Sequence, residues 1–481
     1  MRLCYLARMA RHRLSLLLAV AFATQGVVAA PQAPVVSDAV TGGERGKAFG
    51  TLEKLPAGYL EEERFLSGTA TSYKKAGTWG ADGRWEVAAA GTAPYKVRML
   101  IRRPRDAKRF NGILVVEWLN VSALIEGAAD YMQMEEEIVR EGYAWVGIGA
   151  QNAGINAPRS GLKAWDPARY ASLLHPGDQY SYDIFSQALL ALKKPARPDV
   201  LGALRVRYTV AVGRSQSAFR LVTFINAVHP LAPSADGFLV HSRSASAAGL
   251  TADGLGRDAD APIPAGARLR SDLSVPVLDL VTEGDIVNLR AHLTAEPPRP
   301  GYRRWEIAGA AHAETPLWIV EVPPPLDHAT GCLDPVNAAP HHSVVKAALH
   351  ALSRWVKNKM PPAQSPAIEI ADPAIADPIA RDQNGNARGG IRLPELEVPT
   401  ATLDGVRNEV AQAPPGTPNF CFLFGHTRPF EAPKLKSLYA THDAFVKQFN
   451  AAADKIVRDG YWLRPEADAA RRAALMSHIG R

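Results

Sequence analysis

The stretch Tyr208-Thr-Val-Ala-Val-Gly-Arg-Ser-Gln-Ser-Ala-Phe-Arg-Leu221 is the most informative local pattern in the sequence. Its first five residues favour a buried strand, and residues 218–227 have the pattern of a helix. Gly213 and Ser217 flank a tight turn with Ser215 at its tip, where bulkier residues would collide with the adjoining strand and helix. The stretch therefore predicts a strand, a turn and a helix that together present the Ser215 hydroxyl.

Similar apolar runs recur on both sides of this stretch. They predict buried strands at residues 112–118, 143–148, 237–240 and 275–281, with helices at 131–141, 181–192 and 343–356. Residues 65–103 instead alternate apolar and polar side chains, which is typical of antiparallel strands. The expected fold class is α/β, with a mostly parallel twisted sheet, helices on both faces and antiparallel N-terminal strands.

The composition indicates a large globular chain. Of 481 residues, 38 are Gly and 37 are Pro, and 47% are apolar, which excludes a disordered or collagen-like protein. Residues 361–405 read as an extended, loop-rich segment, and residues 438–457 as a helix. We therefore expect a main domain over residues 31–360 and a C-terminal extension over residues 361–481 that packs on it.

The first 30 residues have the pattern of a secretory signal peptide. Four arginines precede an apolar run at residues 14–23, and small residues follow at 27–30. The run is shorter than the roughly 20 residues that a membrane-spanning helix needs, and no later stretch supplies them. We expect a periplasmic or secreted protein with no membrane span after cleavage of residues 1–30.

The cysteine count and the net charge limit which other kinds of site the sequence predicts. Cys332 and Cys421 would be the cysteines left after cleavage, and an even pair in an oxidising compartment favours one disulfide over two separate buried thiols. The leader holds four Arg and no acid, so more than half of the net charge of +7 would leave with it. The sequence gives no support for nucleic-acid binding, and it has no motif that implies a metal or another cofactor.

A serine hydroxyl is a poor nucleophile unless a base removes its proton, so an acid and a histidine are expected after Ser215. His312 follows the short apolar strand expected at residues 305–309 and is the predicted base. Asp285 lies just past the strand at 275–281 and is the predicted acid, with Glu283 as a rival two residues away. Asp285 would orient the imidazole and stabilise its cation.

An acyl-transfer site also needs donors for an oxyanion. The backbone N–H of Gln216 follows the nucleophile and is the first predicted donor. The second is expected in the segment after the strand at 112–118, where Leu119, Asn120 and Val121 are alternatives; we take Asn120 as the candidate, although it could be an ordinary turn residue.

Two arginines lie near the Ser215 turn. Arg214 and Arg220 could bind an anionic group of a substrate, but we expect them to be surface charges.

With these residues in view, the sequence resembles the α/β-hydrolase superfamily, and within it a branch of secreted bacterial α/β-hydrolase domain proteins. The resemblance rests on residues 115–122, 141–147, 213–217, 282–285, 305–309 with His312, and 389–394. It implies a serine hydrolase with Ser215, Asp285 and His312 as its triad. Two features depart from the superfamily pattern: Ser217 stands where Gly is commonest, and no His-Gly-Gly motif marks the oxyanion segment.

The sequence thus predicts a secreted serine hydrolase that cleaves small-molecule carboxylic esters through an acyl-enzyme. One alternative is another acyl transfer on the same triad, such as transesterification or cleavage of a lactone, peptide or polyester. A non-catalytic binding protein on a hydrolase fold is the other, because fold alone does not establish function. The sequence does not predict the oligomeric state.

Overall fold

The structure is a computed structural model that describes residues 33–195, 197, 200–253, 263–314, 331–375, 377–410 and 420–481. The residues from Ala33 to Arg481 form one compact unit. The predicted signal peptide, residues 1–30, lies outside the described residues.

Nine strands form the main sheet, in the order β1-β2-β3-β5-β4-β6-β7-β8-β9. The first three and β5 are joined by antiparallel pairings, whereas all neighbours from β5 to β9 are parallel. The strands are β1 Val35–Val36, β2 Tyr59–Ala76, β3 Glu86–Pro104, β4 Ile113–Trp118, β5 Ala144–Ile148, β6 Tyr208–Arg214, β7 Gly237–His241, β8 Val277–Thr282 and β9 Tyr302–Ile307. A separate antiparallel pair consists of β10 Ala401–Asp404 and β11 His426–Pro429.

The helices cover both faces of the main sheet. α5 and α6 contribute to the apolar core on one face, and α1 and α8 to the core on the other. The helices are α1 Ala129–Glu141, α2 Asn152–Asn156, α3 Leu162–Trp165, α4 Pro167–Tyr170, α5 Ser181–Lys193, α6 Gln216–Thr223, α7 Glu283–Asn288, α8 His341–Asn358, α9 Pro394–Glu397, α10 Ala432–Leu438, α11 His442–Arg458 and α12 Arg464–Met476. Shorter 3₁₀ helices lie at Ala107–Arg109, Asp178–Tyr180, His229–Leu231, Ala291–Thr294 and Cys421–Leu423, and a π-helical turn at Phe224–Val228.

The predicted α/β architecture is confirmed. Strands β4, β5, β7 and β8 are buried along their whole length, which explains why they appear in the sequence as continuous apolar runs. The N-terminal antiparallel part is a longer hairpin than expected, because β2 and β3 pair along almost all of their length despite a register shift between Ser72 and Tyr73.

The C-terminal extension packs against β9 and the core beside it. Ile391 pairs with Ile307 in a parallel bridge, and its N–H donates to the carbonyl oxygen of Glu306 at 2.6 Å. The ring of Tyr461 meets Trp305 edge to face at 5.0 Å. These contacts cover the edge of the sheet, where unpaired backbone groups would otherwise be exposed. The boundary at residue 360 stays a prediction.

Across the described ranges, the structure contains no helix that is both long and apolar enough to cross a membrane.

The parallel strands place three predicted site residues at one edge of the sheet. Ser215 directly follows β6, Asp285 lies in the first turn of α7 after β8, and His312 follows β9 by five residues. Because the carboxyl ends of parallel strands meet at the same edge, residues far apart in the sequence come together there.

Candidate active site

Ser215 occupies a strained turn between β6 and α6. Its φ of 56° and ψ of −122° are rare for a residue with a side chain, and such strain clusters at functional sites. The Ser215 N–H donates to the carbonyl oxygen of His241 on β7 at 2.9 Å, which holds the turn. A Cβ at Gly213 would lie 3.1 Å from the carbonyl oxygen of Ser217, so a side chain here would require the start of α6 to shift by a few tenths of an ångström.

Ser215, His312 and Asp285 form a continuous chain of hydrogen bonds. The Ser215 Oγ lies 2.9 Å from Nε2 of His312, and Nδ1 of His312 lies 2.5 Å from Oδ1 of Asp285. Asp285 is fully buried, whereas Ser215 is only half-buried and remains accessible from outside. The arrangement can move a proton from the hydroxyl to the imidazole while the carboxylate stabilises the resulting cation.

The environment of Asp285 favours its ionised form. Burial raises the pKa of this carboxyl, but the charge of His312 and the hydrogen bonds that the carboxylate accepts outweigh it, so the pKa lies below its ordinary value. One of those bonds comes from the N–H of Thr282, whose hydroxyl in turn accepts from the Asp285 N–H. This reciprocal capping fixes the carboxylate at the start of α7.

Glu283, the rival acid, has a different role in the structure. Its carboxylate accepts from the N–H of Gly309 at 2.6 Å and lies 3.1 Å from the guanidinium of Arg381, in the C-terminal extension. It also accepts from the N–H of Gly405 at 3.3 Å. Glu283 therefore joins the extension to the segment before His312, and Asp285 is the carboxylate that reaches the imidazole.

The buried Glu283 makes stability depend on pH. Burial, only partly offset by Arg381, raises the pKa of Glu283 from 4.5 to about 7. The folded protein therefore binds more protons than the unfolded chain between these values, so stability falls as the pH rises through this window, by about 3 kcal/mol in all. We expect Glu283→Gln to remove this part of the slope in urea unfolding measured at pH 5, 6, 7 and 8. An unchanged slope in the variant would contradict this assignment.

The N–H groups of Gln216 and Asn120, the two expected oxyanion donors, differ in whether they are already hydrogen-bonded. Gln216 is the first residue of α6, where a backbone N–H has no partner within the helix. The N–H of Asn120 donates to the carbonyl oxygen of Gly127 at 2.9 Å, so it is already engaged. The N–H of Leu119 is engaged by Ile148. The N–H of Val121, the third alternative, donates to Oε1 of Gln216 at 3.4 Å, the longest of the three hydrogen bonds. The identity of the second oxyanion donor stays a prediction.

Asn120 contributes through its side chain instead. Its Nδ2 donates to the carbonyl oxygen of Arg214 at 3.0 Å, which ties the segment that follows β4, residues 119–121, to the end of β6. Arg214 and Arg220 are both buried, so the expectation that they are surface charges is wrong. No local pattern signals either burial, because the residues around both arginines also suit an exposed turn and helix.

The C-terminal extension also contacts the segment that carries the base. Cys332 and Cys421 form the expected disulfide, with their Cα atoms 5.6 Å apart. Two residues further on, the carbonyl oxygen of Leu423 accepts from the N–H of Ala313 at 2.8 Å. The extension therefore supports the residue that follows His312 in the chain.

We expect the disulfide to contribute strongly to stability. It closes a loop with a sequence separation of 89 residues. In the chain-entropy account, a loop of this length stabilises the fold by about 4.6 kcal/mol. The double variant Cys332→Ser/Cys421→Ser should lower the free energy of unfolding accordingly, and reducing agent should lower it in the native protein but not in the variant. Equal stability of the oxidised and reduced native protein would contradict this expectation.

Within the described residues, no group of three or more His, Cys, Asp or Glu side chains is arranged to hold a metal ion.

Comparison with known proteins gives one match that spans most of the chain. A family model described as an alpha/beta hydrolase domain matches residues 30–472. No curated protein matches the sequence.

Some of the solved structures that are similar to this chain are described as esterases or as a serine hydrolase. A glucuronoyl esterase of family CE15 from Teredinibacter turnerae is 11% identical, over 57% of this chain and 73% of that chain, with a TM-score of 0.28. Fungal esterases from Rhizomucor miehei are 13% identical, over 56% and 80%, with a TM-score of 0.28. A lidless a/b serine hydrolase from Xanthomonas campestris is 10% identical, over 50% and 86%, with a TM-score of 0.29.

Proposed function

The chain belongs to the alpha/beta hydrolase domain family, and from this premise we propose that it is a serine hydrolase that cleaves carboxylic esters. The observation that carries the proposal is the chain from Ser215 through His312 to Asp285, with 2.9 Å between Oγ and Nε2 and 2.5 Å between Nδ1 and Oδ1. The strained turn at Ser215 adds support, because it presents the hydroxyl at the tip of the turn.

The proposed reaction has two halves. First, Nε2 of His312 takes the proton of Ser215 as Oγ forms a bond to the ester carbonyl carbon, and the same proton then passes to the leaving alkoxide as the ester C–O bond breaks. In the second half, His312 deprotonates a water molecule that attacks the acyl-enzyme, and the proton returns to Ser215 as the acid leaves. Asp285 stabilises the imidazolium in both halves.

The developing oxyanion would be held by the N–H groups of Gln216 and Val121. The bond from Val121 to the Gln216 side chain is long, at 3.4 Å, and therefore weak enough to be exchanged for a bond to the substrate. Esters are the proposed substrates because an alkoxide leaves more readily than an amine. Cleavage of an ester therefore depends less on proton transfer from His312 to the leaving group.

We further propose that the protein acts outside the cytoplasm on small-molecule esters. The disulfide between Cys332 and Cys421 supports an oxidising compartment. The secretory pattern of residues 1–30 supports the same location.

An ester panel tests the proposal. Purified protein is incubated with p-nitrophenyl esters of short to long acids, the corresponding anilides, a lactone and a polyester film, with and without an added alcohol. We expect hydrolysis of at least one ester series and much slower cleavage of the anilides. Transfer to the alcohol in place of water would replace hydrolysis with transesterification. No turnover of any substrate by folded protein would count against an enzyme and favour a binding protein.

A further inference from the structure

Arg214 lies at the junction of three segments of the site. It directly precedes Ser215, and its side chain is almost completely buried, with 3% of the residue exposed. Its guanidinium Nη2 donates to the main-chain carbonyl oxygen of His312. Its own carbonyl oxygen accepts from Nδ2 of Asn120. Arg214 is therefore hydrogen-bonded to His312 and to Asn120, in the segment that follows β4, and it is covalently joined to Ser215.

The neighbouring strand β7 adds further hydrogen bonds around Arg214. Arg214 on β6 pairs with His241 on β7, and the carbonyl oxygen of His241 also holds the N–H of Ser215. The imidazole Nδ1 of His241 lies 2.8 Å from Oδ1 of Asp130, in α1, and both side chains are fully buried. Ser215 therefore adjoins a buried polar layer. In this layer His241, the strand neighbour of Arg214, is hydrogen-bonded both to Asp130 and to the N–H of Ser215.

The charge of Arg214 is costly in this position. Burial lowers the pKa of its guanidinium, and the nearby carboxylates of Asp130 and Asp285 counteract that effect only in part. Yet in the part of the chain that the structure describes, no carboxylate forms an ion pair with this guanidinium. A buried cation without a directly paired carboxylate costs stability, and the direct partner that this guanidinium has is the carbonyl oxygen of His312.

Resting on the proposed function, we propose that Arg214 is a positioning residue that fixes His312 relative to Ser215 through the carbonyl of His312. With that carbonyl held, the imidazole Nε2 stays within 2.9 Å of Ser215 Oγ. Without it, the main chain keeps its bonds at Gly309 and Ala313 but loses the one at His312 itself. Displacements near 1 Å at reacting groups cost about 100-fold in rate. The effect falls on kcat, since Arg214 is not placed to contact the substrate.

Arg214→Lys tests this role while retaining the buried charge. Lysine ends short of the Nη2 position and has no planar guanidinium, so it keeps the charge but loses the bond to the His312 carbonyl. Arg243→Lys is the matched control, because Arg243 is equally buried and its Nη2 also donates to a main-chain carbonyl, that of Ala267 rather than that of a triad residue. We expect Arg214→Lys to lower kcat on the best ester by about 10- to 100-fold with KM within about 3-fold.

A second pair of variants covers the case in which Arg214→Lys does not fold. Asp130→Asn removes a nearby negative charge, so Arg214→Met in that background leaves less unbalanced charge. The double variant should have a kcat at least about 10-fold below that of Asp130→Asn alone, at similar KM.

The outcomes separate the two proposals. A folded Arg214→Lys protein with native kcat, or an equal loss of kcat in Arg243→Lys, would overturn the positioning role while leaving the esterase proposal intact. Native protein that hydrolyses no ester would overturn both. Thermal unfolding of every variant establishes that the kinetic comparison is made on folded protein.

Discussion

Ser215→Ala is expected to lower kcat on the best ester by about 10⁴-fold or more, because among the described residues no other hydroxyl is hydrogen-bonded to Nε2 of His312. The Ser215 Oγ is the atom that lies 2.9 Å from Nε2 of His312. Stability should change by only about 1 kcal/mol, since a single partly exposed hydrogen bond is lost. Initial rates on the ester panel and urea unfolding of the same preparations measure both quantities.

Ser186→Ala provides the matched control. Ser186 is a buried serine in α5, on the core side of that helix and outside the hydrogen-bonded chain of the site. Its variant should keep kcat within about 3-fold of the native protein, because most substitutions away from a site act on stability alone. Residual hydrolysis by Ser215→Ala at a tenth of the native rate would contradict the assignment of the nucleophile.

Asp285→Asn is expected to have the second-largest effect. It should lower kcat by about 10⁴-fold, although asparagine has nearly the same size and shape as aspartate. An amide at this position supplies no charge to stabilise the imidazolium, and its N–H₂ group favours the wrong imidazole tautomer. The 2.5 Å contact between Asp285 Oδ1 and His312 Nδ1 makes this residue sensitive to such a change. Steady-state kinetics at several pH values measure the effect.

Glu283→Gln makes the comparison specific. The two acids are two residues apart and both fully buried, but Glu283 contacts Arg381 and the backbone rather than the imidazole. Its amide variant should keep kcat within about 10-fold of the native value and show its effect in unfolding. A larger loss of kcat in Glu283→Gln than in Asp285→Asn would reverse the roles assigned to the two residues.

Much of the fold could be predicted because strands that are buried on both faces of a sheet appear in the sequence as continuous apolar runs. Strands such as β4 and β8 are apolar throughout, and the helices between them bury one face. The full extent of the β2–β3 hairpin was not predictable, since its outer part is partly exposed and its residues carry no continuous apolar pattern. The helix α12 was missed for a similar reason, as only three of its residues are buried.

The site was predictable where chain order and local geometry decide it. The order of Ser215, Asp285 and His312 follows from strand order, and the small residues around Ser215 follow from the tight turn. The choice of the second proposed oxyanion donor depends on which N–H groups are already hydrogen-bonded, and the N–H of Asn120 already donates to the carbonyl oxygen of Gly127. The carbonyl contact of Arg214 with His312 joins residues 98 positions apart, which no local pattern encodes.

Ser215 is proposed to be an activated nucleophile, and labelling with a fluorophosphonate probe is the most direct test of that role. The probe forms a covalent bond with a serine whose proton is removed by a neighbouring base. Peptide mapping of the labelled, folded protein should place the probe on Ser215, at close to one label per chain, and Ser215→Ala should not be labelled. Folded native protein that stays unlabelled, or a label on another residue, would contradict the account.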